Sequence, residues 1–325
     1  MPRVTVICGG VGAARFLRGL VDVVDPTDVT AVVNVGDDSV LHGLEISPDL
    51  DTITYTLAGA IDPERGWGLV DETWQAMEQV RRYATANGIG AHDRVGNDAA
   101  GWFSLGDRDL GTHLYRTSRR RAGASLSQVT AEIARAWGLE LTLLPASDDP
   151  VRTELTTSDG RRLAFQEYFV REQHSVEVRS VEVSGTDAAR PAPGVLAAIE
   201  DAEVVVIAPS NPVVSIDPVL AVPGVRQAIV AARSRTIAIS PIVGGAALKG
   251  PADRLLRELG HESSVTGIAR WYAPVADSLV IDEVDAQLAG DVAAQGIRCV
   301  VTPTIMSGPV EAAALARRCL AEVLG

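Results

Sequence analysis

Five short segments of the chain carry residue types that can do chemistry. The first is Gly9-Gly10-Val11-Gly12, set between the apolar run Val4–Ile7 and a stretch with helical spacing. Glycines let a backbone approach a ligand closely, and the start of a helix offers free N–H groups at a positive dipole end. That pairing suits a phosphate or diphosphate; a purely structural tight turn is the alternative. The loop lacks the Lys-Ser/Thr of a Walker loop and fits the dinucleotide fingerprint only loosely. Arg15, just beyond it, is either a phosphate contact or a surface charge. The second segment is Asn34-Val35-Gly36-Asp37-Asp38, and the third is Ser47-Pro48-Asp49-Leu50-Asp51-Thr52. Carboxylates in pairs can hold a hard divalent cation through one or two oxygens plus waters. A solvated turn is the competing reading, and Asp49 or Asp51 could cap a helix over 53–60. Four carboxylates within fifteen residues point to magnesium more than any one pair does. Magnesium would in turn suit a diphosphate on the glycine loop.

The fourth segment is Ser210-Asn211-Pro212, with Ser240-Pro241 at a neighbouring strand end. Small hydroxyl and amide groups there could read a base or a ribose, with structural turns as the alternative. The fifth is Leu105-Gly106-Asp107-Arg108-Asp109 followed by Thr112-His113. It concentrates charge and a histidine without helical or strand periodicity, and a loop salt bridge of Arg108 is its plainer reading. Arg119-Arg120-Arg121 reads as a solvated loop or as a clamp for an anionic ligand. His42, His92, His174 and His261 have no partner pattern, and no G-x-S-x-G or H-E-x-x-H motif occurs.

The elements that must position these residues are legible from periodicity. Val4–Ile7, Val29–Val33, Ala202–Ile207, Thr236–Ile239, Ser278–Ile281 and Ile297–Val301 read as strands. Phe16, Leu17, Leu20 and Val24 mark a helix after the glycine turn, and Pro309 opens a last helix running to Leu324. Strands alternating with helices predict an α/β fold: a Rossmann-like, doubly wound, mainly parallel sheet. The middle differs. Residues 71–86 and 126–139 read as helices, and a Ser158-Asp159-Gly160 turn joins a hairpin of 151–155 and 162–169. The expected organisation is a nucleotide-binding core from residues 1–64 and 196–325, with residues 65–195 forming an α+β insertion. In such a sheet, ligands bind beyond the carboxyl ends of the strands, where the glycine, acidic and Ser-Asn loops all fall.

Composition bounds the function. A chain of 325 residues suits one large α/β domain with an insertion or two close-packed domains. A formal charge of −13 and only 4 % aromatic residues argue against nucleic-acid binding. Three widely spaced cysteines, Cys8, Cys299 and Cys319, support neither a disulfide framework nor a zinc site. No apolar run approaches the length of a membrane span, and the N-terminus reads as a strand rather than a signal peptide. A reduced, cytoplasmic enzyme or binding protein is the expectation.

Seven blocks, in order, carry a resemblance. They are Gly9-Gly10-Val11-Gly12, Val33 to Asp38, Ile46 to Thr52, Leu105 to Asp109 with Thr112-His113, Pro145 to Val151, Pro209 to Pro212, and Ser240-Pro241-Ile242. The set resembles the 2-phospho-L-lactate transferase family of coenzyme F-420 biosynthesis across nearly the whole chain. The resemblance implies a donor in which guanosine diphosphate carries a lactyl or enolpyruvyl group, and the deazaflavin Fo as acceptor. The ribityl 5′-hydroxyl attacks the phosphate bearing the three-carbon acid, GMP leaves, and F-420-0 or its dehydro form results. It also implies magnesium (Mg2+) and a homodimer. Val11 and Val35 stand where archaeal members carry threonine, which places the chain nearer the actinobacterial, phosphoenolpyruvate-transferring branch. The roles carried over give Gly9, Gly10, Gly12, Ser210, Asn211, Asp49 and Asp51 to the donor nucleotide. Asp37, Asp38 and Asp51 go to the metal, and Asp51, Arg108 and His113 to catalysis. Trp67 and Trp102 would cover the deazaflavin ring. Two rival readings are a nucleotide-sugar-binding regulator without transfer and an NAD(P)-dependent oxidoreductase. The oxidoreductase predicts an acid at the end of the second strand, where Asn34 stands instead.

Overall fold

The computed structural model describes residues 2–89 and 102–325, so His92 lies outside the described residues. The chain opens with strand β1 (Val4–Cys8), helix α1 (Gly10–Leu20) and β2 (Val29–Val33). A short hairpin of β3 (Ser39–Leu41) and β4 (Leu44–Ile46) leads into α2 (Pro48–Leu57). Helices α3 (Gln75–Ala86), α4 (Asp109–Arg121) and α5 (Leu126–Ala136) precede β5 (Thr142–Pro145). An antiparallel unit of β6 (Arg152–Thr157), β7 (Arg162–Ala164) and β8 (Val178–Ser184) follows, and α6 (Val195–Asp201) returns the chain to β9 (Val204–Ile207). Helices α7 (Asp217–Leu220) and α8 (Val225–Ala231) lead to β10 (Thr236–Ile239). A small hairpin of β11 (Ile242–Val243) and β12 (Ala246–Ala247) then gives way to α9 (Ala252–Glu258), α10 (Val265–Tyr272) and β13 (Ser278–Ile281). The chain closes with α11 (Ala289–Ala293), β14 (Arg298–Val301) and α12 (Pro309–Leu324).

Seven strands form one sheet in the order β14-β13-β10-β9-β1-β2-β5, every neighbouring pair parallel. β1, β9, β10 and β13 are buried at every position, as expected of strands covered by helices on both faces. Their β-branched and small residues fill the main core with Phe16, Leu17 and Leu20 of α1. From β1 the chain winds outward through β2 to β5, then crosses back to β9 on the other side of β1. The switch in direction therefore falls between β1 and β9, where an open α/β sheet leaves a crevice at its carboxyl edge.

The expected 65–195 insertion is not a continuous block. Thr142–Pro145 pairs in parallel with β2 and is the edge strand of the core sheet, and α5 packs against it. The Ser158-Asp159-Gly160 turn does join two antiparallel strands, with Gly160 at φ +84°, and β8 adds to the same small sheet. All three cysteines are free.

Candidate active site

Three loops meet at the switch point. Gly9 ends β1, and α1 begins at Gly10, whose φ of +72° is in the region that favours glycine. Ser210, just after β9, donates from Oγ to the Gly9 carbonyl at 2.8 Å. A Cβ at Gly12 would overlap the Pro209 carbonyl oxygen, so α1 and the β9 loop approach more closely than any side chain allows. Asn34 closes β2 and ties the third loop in. Its Nδ2 donates to Asp49 at 2.9 Å and to the Val214 carbonyl at 3.3 Å, and its Oδ1 accepts from the Gly36 N–H at 2.8 Å. An amide engaged in this way is not the acidic ribose contact of an NAD-dependent oxidoreductase. A cavity of about 740 Å³ opens over these loops, within the range of small-molecule sites. Gly9, Gly10, Gly12, Asp37, Asp49 and Asn211 line one side of it.

The acidic loops separate into two groups. α2 starts at Pro48, earlier than expected, so Asp49 and Asp51 lie in its first turn rather than ahead of it. Residues two apart on a helix point in different directions. Asp49 turns to the glycine loop, where it accepts from Asn34 and from the Gly10 N–H. Burial pushes its carboxyl up to about 6 despite those hydrogen bonds. Asp37 is buried beside it. Burial first, and then the charge of Asp49, raise Asp37 well above the usual carboxylate range, and its Oδ1 has no partner among the described residues. Two adjacent buried carboxylates, both raised by burial and one with an orphaned oxygen, are a fitting oxygen-donor set for a hard divalent cation. Asp38 stands outside the lining. It accepts from Ser47 Oγ at 2.9 Å, and burial pushes it up to about 7.

Asp51 belongs to the second group and already has a counter-charge. Arg116, only 2 % exposed, forks onto both of its oxygens, with Nη1 at 3.1 Å from Oδ2 and Nη2 on Oδ1. Arg116 comes from α4, where Asp109, His113 and Arg116 recur at helical spacing on the buried face. Its Nη1 also meets His113 Nδ1 at 3.2 Å. Guanidinium nitrogens only donate, so Nδ1 supplies the lone pair and the ring proton sits on Nε2. That nitrogen lies 3.2 Å from Asp109, whose other oxygen accepts from the Tyr55 hydroxyl at 2.6 Å. Burial opposes the charge of Asp109, but His113, Tyr55 and Arg116 outweigh it and hold the carboxyl low. Asp51, Asp109 and His113 bring one ligand atom each within 4.8 Å of one another, so this cluster too could hold a metal ion. Arg116, however, already holds both oxygens of Asp51.

Two expectations from the charged segments are corrected. Arg108 is exposed and outside the cavity lining; its Nη1 donates to the Val70 carbonyl at 2.6 Å and its backbone N–H to Glu72 at 2.8 Å. Arg119, Arg120 and Arg121 form the last turn of α4 and are neither a loop nor a clamp. They pair with Glu132 and Glu45 and with the Gly43 carbonyl, at a helix end where cations are favoured. Arg116 and Tyr55 were missed. The signal available for both was spacing, with Asp109, His113 and Arg116 on one helical face and Asp51 and Tyr55 four apart on another.

The opposite side of the cavity is aromatic. Trp67, Trp102, Phe103, Phe165 and Phe169 line it. Trp67 meets Trp74 edge-on at 6.0 Å, with the Arg65 guanidinium 5.4 Å from the first ring and 5.3 Å from the second. Phe165 stacks on Phe169 at 5.5 Å. The Asn211 Oδ1 caps Val213, leaving its buried Nδ2 without a partner among the described residues. The Ser240 Oγ donates to the Ile242 carbonyl at 2.8 Å.

Residues 4–303 match the family described as 2-phospho-L-lactate transferase CofD. The chain is 44 % identical over 322 residues to the phosphoenolpyruvate transferase of Streptomyces griseus, covering 98 % of this chain and 97 % of that one. It is 43 % identical over 324 residues to the phosphoenolpyruvate transferase of Kitasatospora aureofaciens, with the same coverage. Its fold is also that of a crystal structure of a UPF0052-family protein from Bacillus halodurans. The TM-score is 0.61 at 18 % identity, over 98 % of each chain.

Proposed function

The chain belongs to the 2-phospho-L-lactate transferase CofD family and is a transferase of phosphorus-containing groups acting in coenzyme F-420 biosynthesis; from that premise we propose its donor, its acceptor and the roles of its cavity. The donor is guanosine diphosphate carrying a three-carbon acid, and the acceptor is the deazaflavin Fo. The relatives' shared name favours the enolpyruvyl form of the donor over the lactyl form. One observation carries the reading: a glycine turn, a carboxylate pair without counter-charge and an aromatic wall share a single cavity.

The ribityl 5′-hydroxyl oxygen of Fo attacks the phosphorus that bears the three-carbon acid, and the hydroxyl proton is released to solvent. The bond from that phosphorus to the bridging oxygen breaks, and GMP leaves with that oxygen. Such transfers need alignment and charge neutralisation more than covalent help from the protein. Gly9, Gly10 and Gly12 give the diphosphate its close approach to the start of α1. Asp37 and Asp49 would hold Mg2+, which when bound neutralises diphosphate charge. Asp38 stands behind them, and Asp51 is paired with Arg116, so neither is assigned a metal contact. Asp51 accepts the hydrogen bond of the incoming hydroxyl, aimed by Arg116, and His113 borders the same space. Ser210 fixes the glycine turn from behind, and the free amide of Asn211 meets the guanosine. Trp67 and Trp102 cover the deazaflavin.

Among the described residues no single helix is long and apolar enough to cross a membrane. We place the reaction in the cytoplasm, carried out by a homodimer on small-molecule substrates and without nucleic acid. Incubation of the protein with Fo, the enolpyruvyl-diphosphate-linked guanosine and magnesium, followed by liquid chromatography and mass spectrometry, tests the assignment. The expected products are GMP and dehydro-F-420-0, two hydrogens lighter than the lactyl product. GMP release no greater with Fo than without it would overturn the proposal.

A further inference from the structure

The sequence contains a single lysine, Lys249, in a chain whose other basic side chains are all arginine or histidine. That lysine lines the cavity. It sits, exposed, on the strap that follows the β11–β12 hairpin, and its Nζ lies near Gly66, which also lines the cavity. A Cβ built on Gly66 would lie 3.4 Å from that nitrogen. The hairpin ahead of the strap is anchored at its turn: Asp285 accepts from the Gly244 N–H at 2.9 Å, and the Ser263 Oγ donates to the Gly245 carbonyl at 3.3 Å.

Among the described residues, three long cationic side chains line the cavity: Arg15, Arg65 and Lys249. Arg65 is engaged with Asp62, the Leu69 carbonyl and the two tryptophan rings. Arg15 stands on α1 beside the glycine turn, on the diphosphate side. Lys249 forms no ion pair or hydrogen bond among the described residues and stands beside Gly66. The floor carries Asp37, Asp49, Asp51 and Asp109, and the cation behind it, Arg116, is taken up by both oxygens of Asp51 and lies outside the lining, so among the described residues the floor offers no free cationic side chain to a further carboxylate. A donor with its diphosphate on the glycine turn must therefore turn the carboxylate of its three-carbon acid away from the floor, toward the mouth.

We propose that Lys249 is the cation that takes the carboxylate of the donor's three-carbon acid, closing the cavity mouth against the Gly66 turn. The inference rests on the functional reading above, because that reading supplies the acid. A compact ammonium on a flexible stem suits a mobile carboxylate at a solvent-exposed mouth.

Binding measurements without Fo separate the two claims. Calorimetric titration of wild type, K249Q and K249R with the enolpyruvyl donor and with GDP, both in magnesium, is the test. K249Q is expected to weaken donor binding about tenfold, with K249R recovering most of it. GDP, which lacks the acid, should bind all three within about twofold. Donor binding unchanged in K249Q would overturn the proposal. So would an equal loss for GDP, which would move the contact to the diphosphate. Acetylation by acetic anhydride gives a second readout, since Lys249 carries the one side-chain amine. Donor should protect it and GDP should not; equal protection by both would contradict the assignment. A wild type that binds donor yet releases no GMP with Fo would instead overturn the functional reading and leave the Lys249 result standing on its own.

Discussion

Asp37 and Asp49 titrate high because they are buried together, and that has a measurable consequence for stability. A carboxylate raised by folding binds its proton more tightly in the folded chain than in the unfolded one. Its favourable contribution is full at low pH and is lost as pH rises through the folded value, here about 6 for Asp49. Asp37 acts in the same direction. Metal-free protein should therefore lose thermal stability as pH rises through that range, and D49N should flatten the fall. Magnesium competes with those protons, so the Tm gain it gives should be larger at about pH 7.5 than at about pH 5.5. A gain independent of pH would remove these carboxylates from the metal site. D37N should be at least as stable as wild type without metal near neutral pH, while its turnover falls on the order of a hundredfold. Arg116 behaves oppositely. R116Q strands Asp51 without its counter-charge, and urea denaturation should show a loss of about 3 to 5 kcal/mol. A loss below about 1 kcal/mol would mean that Asp51 is solvated and not held by the pair.

At the level of elements, the site depends on how closely α1 approaches the loop after β9. G12A places a methyl group against the Pro209 carbonyl. The substitution should cost about 1 to 3 kcal/mol in chemical denaturation and abolish most turnover by moving the turn. The alternation that built this region was local and readable. Short β-branched runs ending in glycine or Ser-Pro turns gave the strands, and their loops were correctly brought to one edge of the sheet. Thr142–Pro145 was harder to read, because four residues ending in proline fall short of a clear strand pattern. α4 was missed for another reason. Its periodicity is carried by Asp109, His113 and Arg116, polar residues buried because they neutralise one another, and a search for apolar stripes passes over such a face. The Arg116–Asp51 pair spans 65 positions of sequence, so nothing local announces it. The same distance hides the counter-charge of Asp51, which still stands in a cluster that could hold a metal ion, and Arg108 reads as a catalytic cation because its contacts to Val70 and Glu72 are remote in sequence too.

On the scale of the whole molecule, the strand order places a side lined by glycines and carboxylates and an aromatic side across one crevice. The two walls come from different parts of the chain. The sheet edge supplies the glycine turn and the carboxylates, and the segments around Trp67, Trp102 and Phe169 supply the rings. Separate walls predict separable kinetics. W67A should raise the KM for Fo about tenfold through lost stacking, while leaving the KM for the donor nearly unchanged. With a net charge of −13, a chain that repels anions at large would, on the proposed reading, have to gather N–H groups, Arg15 and a bound cation to accept a diphosphate, with Lys249 left for the donor's carboxylate. The most direct test is calorimetric titration of GDP into wild type and D37N, with and without magnesium. If the glycine turn and the Asp37–Asp49 pair form one diphosphate site, magnesium should tighten GDP binding to wild type by at least about tenfold and do little for D37N. Equal GDP affinity with and without magnesium in the wild type would contradict it.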